Sequence, residues 1–165
     1  PPMERFNAAL CPKLPVEDAT LPLDPNLEGV KADLGVLDRM VNRAGSLRLS
    51  LTFRNIGQHG LNLLLPREAF MLEGFELVDH ACVRVPYAKS AAATALAYSN
   101  SGPMPLAVGE SATVDSTLSS LAPTLDLPRG IYAIRFALRA PPGRSDMRGR
   151  TIRSDWALFA VTPTR

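Results

Sequence analysis

Five arginines crowd one stretch near the C-terminus, Arg139, Arg144, Arg148, Arg150 and Arg153, with only Asp146 and Asp155 of opposite sign beside them. So many guanidinium groups cannot all be paired locally, and each offers planar, bidentate hydrogen bonding that an ammonium cannot. The chemistry that follows is docking to an acidic protein surface, a polysaccharide or another anionic surface. The plain alternative is a solvated loop. From Arg129 onward eight arginines face two acids, whereas the first 128 residues hold ten basic and fourteen acidic side chains. The net charge of +2 gives no bulk attraction for a polyanion. No aromatics are interleaved with the arginines to stack bases, so nucleic acid is not an expected partner.

The remaining reactive residues do not assemble a catalyst. Cys11 and Cys82 stand 71 positions apart, outside any C-x-x-C pair. One disulfide would close a long loop and contribute ~4 kcal/mol in the chain-entropy model; two reduced thiols satisfy the same sequence. Asp79-His80-Ala81-Cys82 gathers three ligand types. On a strand, however, Asp79 would project opposite to His80 and Cys82, leaving two ligands where structural zinc wants four. His59 is the other histidine, and neither it nor His80 has the spacing of a copper site. Gly109-Glu110-Ser111-Ala112-Thr113 lacks the second glycine of a nucleophile elbow. No phosphate-binding glycine loop occurs, and the carboxylates are scattered. The expectation is a domain with no catalytic residues, no cofactor and no metal.

The elements that must position these residues are strands. A chain of 165 residues and 17.8 kDa is about one domain's worth, and no apolar run reaches the ~18–20 residues of a membrane span. Residues 1–28 hold six of the fifteen prolines and read as an extended leader outside the folded domain of residues 29–165. Phe6, Leu10, Leu14 and Val16 are its apolar side chains available to hold it down. From Gly29 the pattern has period two. Val30, Ala32, Leu34 and Val36 mark a first strand, and Leu47, Leu49, Leu51 and Phe53 alternate with Arg48, Ser50, Thr52 and Arg54 in the clearest one.

Asn55 to Gly60 supplies a turn, with Leu61 to Leu65 returning. Further strands are expected at Phe70–Val78 (kinked at Gly74), Ala81–Val85, Leu106–Leu118, Ile131–Leu138 and Thr151–Val161. Ser90–Tyr98 is Ala-rich and reads as helix or loop. Leu49, Leu51, Phe53, Tyr132, Ile134, Phe136 and Trp156 are the expected core, with Arg135 and Arg139 facing out. Gly130-Ile131-Tyr132 suggests a tyrosine corner, whose alternative is an ordinary core tyrosine. Seven or eight strands with almost no helical period make an antiparallel two-sheet sandwich, with a closed barrel as the alternative.

Four segments recur together in a known layout: Leu47–Gly57, a strand ending in Asn-x-Gly; Leu106–Thr113, containing Gly109-Glu110-Ser111; Leu127–Tyr132; and Ile152–Val161. Over about residues 29–162 this resembles the immunoglobulin-like sandwich found beside deuterolysin-type metallopeptidases, and is similar to bacterial intracellular proteinase inhibitors of the same build. It departs at Val108, where proline commonly precedes Gly-Glu-Ser, and in the long loop between Pro86 and Pro105. The resemblance implies an immunoglobulin-like sandwich and, as an activity, peptidase inhibition or a pro-domain role.

The residues themselves lead to a non-catalytic domain that binds another protein through loops at one end, periplasmic or secreted. A cytoplasmic chain would read alike. Pro1-Pro2-Met3-Glu4-Arg5 shows neither the basic nor the apolar stretch of a signal peptide, and none is expected there.

Overall fold

The computed structural model describes residues 30–63, 75–87, 104–139 and 151–163. The described strands are β1 (Val30–Val36), β2 (Met40–Val41), β3 (Arg48–Asn55), β4 (Leu61–Leu63), β5 (Phe75–Asp79), β6 (Met104–Leu106), β7 (Ser111–Thr117), β8 (Gly130–Arg139), β9 (Thr151–Arg153) and β10 (Ala157–Val161). One helical turn, α1 (Leu118–Leu121), follows β7 and is capped by Thr117 Oγ1, which accepts from the Ser120 N–H. The leader, residues 1–28, the kink expected at Gly74 and the segment Ser90–Tyr98 lie outside the described residues.

Two sheets face each other. One runs β1-β3-β7, all antiparallel; the other runs β2-β10-β8-β5, with β9 also paired to β8, and β4 and β6 form a separate two-stranded ribbon. The chain passes from β1 at the edge of the first sheet to β2 at the edge of the second. There β2 lies parallel to β10, clamped by Ala160 N–H to Arg39 O (2.7 Å) and Thr162 N–H to Val41 O (2.8 Å). This strand order is that of an immunoglobulin-like sandwich. Strands are more numerous than expected because several of them are only two or three residues long.

Alternation creates the core. Along β3 the side chains of Leu49, Leu51 and Phe53 are fully buried while Arg48 and Arg54 are exposed. Across the interior they meet Tyr132, Ile134 and Phe136 of β8, Leu77 of β5 and Phe159 of β10. Phe136 makes T-shaped contacts with two rings, Phe53 at 5.5 Å and Phe75 at 6.2 Å between centroids, and Tyr132 stacks on Phe159 at 5.7 Å. Edge-to-face and offset pairs suit the aromatic quadrupole. The tyrosine corner is present: Tyr132 Oη–H donates to Pro128 O at 2.8 Å, tying the start of β8 to the crossover before it.

Five expectations are corrected. The strand expected over Leu106–Leu118 is broken at Ala107–Glu110, where Gly109 adopts φ +78° and Glu110 N–H donates to Ala107 O, so β6 and β7 belong to different sheets. The strand expected over Ala81–Val85 is instead a turn. Asp79 Oδ1 accepts from the Ala81 and Val83 N–H groups, Cys82 sits at φ +61°, and the chain re-pairs with β5 from Val83, whose O accepts from Asp79 N–H, through Arg84 to Val85.

The expected final strand Thr151–Val161 is split as well. Ala137 faces Arg153 and Ile134 faces Ala157, so three residues (154–156) oppose two (135–136), a one-residue β-bulge. Ser154 repairs the broken ladder: its N–H donates to Phe136 O and its Oγ accepts from Phe136 N–H. Trp156 is not in the core. It shares the parity of Leu158 and packs on the outer face of the sheet, over the Arg135 guanidinium at 4.5 Å. Arg135 is therefore not in solvent but 4% exposed, its Nε donating to Glu76 Oε2 at 2.6 Å.

Burial raises the Tyr132 pKa above its ordinary value of 10.0, and the negative charge of Asp79 adds to the effect. A group whose pKa is raised in the fold contributes stability that is complete below its unfolded pKa and is lost as pH climbs through the folded value. Tyr132→Phe removes the corner hydrogen bond and is expected to cost about 1 kcal/mol at neutral pH. It should also shrink the fall in stability above about pH 10. Denaturant unfolding of both chains between pH 7 and 11 measures this.

Candidate functional site

The aromatic contact between sheets decides which loops are neighbours. Phe53 lies near the end of β3 and Phe136 near the end of β8, and their rings touch. Both strands therefore run toward the same end of the sandwich. β7 is antiparallel to β3 with Ser111 opposite Arg54, so the turn before β7 opens at that end too. Three connections thus share one end: the turn after Asn55, the turn Ala107–Glu110, and the connection from β8 to β9.

Asn55 holds the first two together. Its side chain is completely buried. Nδ2 donates to His59 O at 2.7 Å and to Leu106 O at 3.0 Å, and Oδ1 accepts from Gly57 N–H at 2.9 Å. Its backbone continues the ladder past the strand, with Asn55 N–H to Glu110 O at 3.0 Å and Gly109 N–H to Asn55 O at 2.8 Å. Glu110 closes its own turn, Oε2 accepting from Ala107 N–H at 2.9 Å. Each hydrogen bond replaces one that a strand would have made, and this satisfies the backbone where the sheet stops. On these two braced turns Ile56 and Val108 stand 60% and 56% exposed. Large apolar side chains in water on rigid turns are what a protein partner can bury.

The residues singled out from sequence fall into two groups. Arg139 is the last residue of β8, in register with Thr151, and Arg153 is exposed opposite Ala137. They mark the base of the connection at the braced end. Arg144, Arg148 and Arg150 lie outside the described residues. Cys82 is in a disulfide; the chain's other cysteine, Cys11, lies outside the described residues.

His59 is exposed on the turn after Asn55. His80 is exposed beyond β5, whose Asp79 faces Tyr132 near the start of β8, hence at the opposite end. The two histidines therefore do not converge, and the turn removes the shared strand face expected for His80 and Cys82. Among the described residues no group of three or more His, Cys, Asp or Glu side chains is placed to hold a metal ion. No described helix is long and apolar enough to cross a membrane.

Ile56, Val108 and the buried role of Asn55 escaped the sequence reading. The available signal was Asn-Ile-Gly closing a strongly alternating strand: a bulky apolar residue inside a turn has no reason to be there for the turn's sake.

No protein-family model matches the chain, and no curated protein matches it. Among solved structures it is similar to the C-terminal domain of Wzt, at 14% sequence identity and a TM-score of 0.45, with 83% of this chain and 75% of that chain covered.

Asn55→Ala leaves the carbonyls of His59 and Leu106 and the N–H of Gly57 without their side-chain partner. It is expected to lower stability by ~2–4 kcal/mol in denaturant unfolding. Asn55→Asp turns a donor into an acceptor aimed at two carbonyls and buries a charge, so its loss at pH 7 should exceed that of Asn55→Ala.

Proposed function

We propose that this chain is a non-catalytic, protein-binding sandwich domain that docks through the loops of its braced end. The observation that carries the reading is the pair Ile56 and Val108, exposed on turns that Asn55 and Glu110 lock in place. A surface already held in one conformation loses little entropy on binding, so more of its contact energy appears as affinity. Arg139 and Arg153 stand at the base of the connection at that end, and with Arg144, Arg148 and Arg150 between them in sequence the stretch is strongly positive. A positive field speeds encounter with an acidic partner and weakens as salt shortens the Debye length to ~8 Å at physiological ionic strength. The Cys82 disulfide supports an oxidising compartment, periplasmic or extracellular.

A second reading, a peptidase inhibitor or pro-domain, is supported by the resemblance carried by Leu47–Gly57, Leu106–Thr113, Leu127–Tyr132 and Ile152–Val161. It would use the same end, with the partner a peptidase.

The test is retention of proteins from an extract of the source cells on immobilised chain, followed by kinetics on whatever is retained. The double variant Ile56→Ser/Val108→Ser should fold normally, since exposed side chains contribute little stability, and should lose at least about tenfold in affinity. The triple variant Arg144→Ser/Arg148→Ser/Arg150→Ser should slow association and flatten its salt dependence, with dissociation little changed. Retention and kinetics unaltered in both variants would refute docking at this end. If the wild-type chain at micromolar concentration slows a metallo-, serine or cysteine peptidase and the double variant does not, the inhibitor reading holds.

A further inference from the structure

One row across the smaller sheet holds two cations side by side. Lys31 of β1 stands directly opposite Arg54 of β3, and Arg54 directly opposite Ser111 of β7. Residues opposite each other in an antiparallel ladder share a face, with Cβ atoms about 5 Å apart. All three side chains are exposed on the outer face, because the alternating residues Val30, Ala32 and Phe53 point into the core. Like charges directly opposite each other repel and cost stability.

Among the described residues no carboxylate cancels this pair. Lys31 meets Asp33 at 3.8 Å, with the two side chains 59% and 61% exposed, and so loose a contact in water contributes little. Arg54 makes no ion pair among the described residues. Glu110, the residue before Ser111, closes its own turn, Oε2 accepting from Ala107 N–H. One row below, the Thr52 and Thr113 hydroxyls bond each other at 2.9 Å. Lys31, Arg54 and Ser111 are therefore the donors at this end of the face.

We propose that this row is a binding site for a tetrahedral dianion, the phosphate or sulfate group. Charge selects it: a phosphate group carries close to two negative charges at neutral pH, matching two cations, whereas a carboxylate would neutralise one. Geometry selects it as well. The Arg54 guanidinium offers a planar fork to two oxygens, the Lys31 ammonium is a point charge on one side, and the Ser111 hydroxyl is a donor on the other. An anion between Lys31 and Arg54 replaces their repulsion with two attractions. The backbone beneath is fixed, since all three residues lie in paired strands and the next rung is the brace from Asn55 N–H to Glu110 O. The site is separate from Ile56 and Val108, which lie beyond that brace on the turns.

Amide NMR titration of the full chain at about pH 7.5, where phosphate is largely dianionic, tests the site. Phosphate, sulfate, acetate and chloride are compared at constant ionic strength. Phosphate or sulfate at millimolar concentration should give saturable shifts centred on Lys31, Arg54 and Ser111, and the tighter of the two names the group. Arg54→Gln and Lys31→Gln should each weaken binding about tenfold. Both should fold normally, because exposed side chains contribute little stability. Asp33→Asn removes the nearest acid and should tighten binding about threefold. Phosphate should also raise the Tm of the wild type more than that of either Gln variant. Shifts that do not saturate, that chloride reproduces, or that survive in Arg54→Gln overturn the proposal. Acetate binding as tight as phosphate overturns it too, since the row would then not be selecting a dianion.

Discussion

The contact of Phe53 with Phe136 is the constraint from which the rest of this molecule follows. Each ring comes from a central strand of its sheet, and an edge-to-face pair at 5.5 Å leaves little freedom for one sheet to slide against the other. Fixing that slide fixes which strand ends are neighbours. It places the turn after Asn55, the turn before β7 and the arginine-rich connection at one end, and the Cys82 turn at the other. Phe75 and Leu77 from β5 fill the same interior, so the position of the Cys82 turn depends on the same packing.

Where the ladders stop, single polar side chains take over the hydrogen bonding. Asn55 does so where β3 ends, with its amide spread over His59, Leu106 and Gly57. Ser154 does so inside the bulge between β9 and β10, where its hydroxyl stands in for a backbone carbonyl toward Phe136. Asp79 does so in the Cys82 turn. In each case a backbone group that would otherwise be stranded is satisfied locally, and the chain is free to leave the sheet at a defined angle. The functional consequence is stiffness: the turns that carry Ile56 and Val108 are extensions of the sandwich.

The outer face of the larger sheet carries a cost that the interior does not. Glu76 and Arg135 are opposite each other in register and nearly removed from water. Desolvating two charges offsets much of their attraction, so such a pair contributes more to specifying one arrangement than to net stability. The Trp156 ring over the guanidinium and the second arginine at Glu76 complete that arrangement. The pair therefore makes sense as a fixed polar edge beside the apolar cluster of Val78 and Ala133.

Periodicity alone determined the strands β1, β3 and β8 and the residues of β3 and β8 that form the core, because alternating burial is a local pattern; the Gly-x-Tyr entry suggested a tyrosine corner, and the bond from Tyr132 to Pro128 O decided it. The turn at Asn55–Gly60 was legible for the same reason. Three things were decided only by the tertiary structure. Trp156 went outside because strand parity outranks the hydrophobicity of one side chain, and the bulge at Ser154 depends on a partner strand the sequence does not display. Arg135 went into a buried pair because Glu76, 59 positions away, stands opposite it. Ile56 and Val108 became one candidate surface because the packing of Phe53 on Phe136 sets the end at which the loops gather and the ladder at Asn55 joins their two turns; no local pattern carries information about contacts made across two sheets.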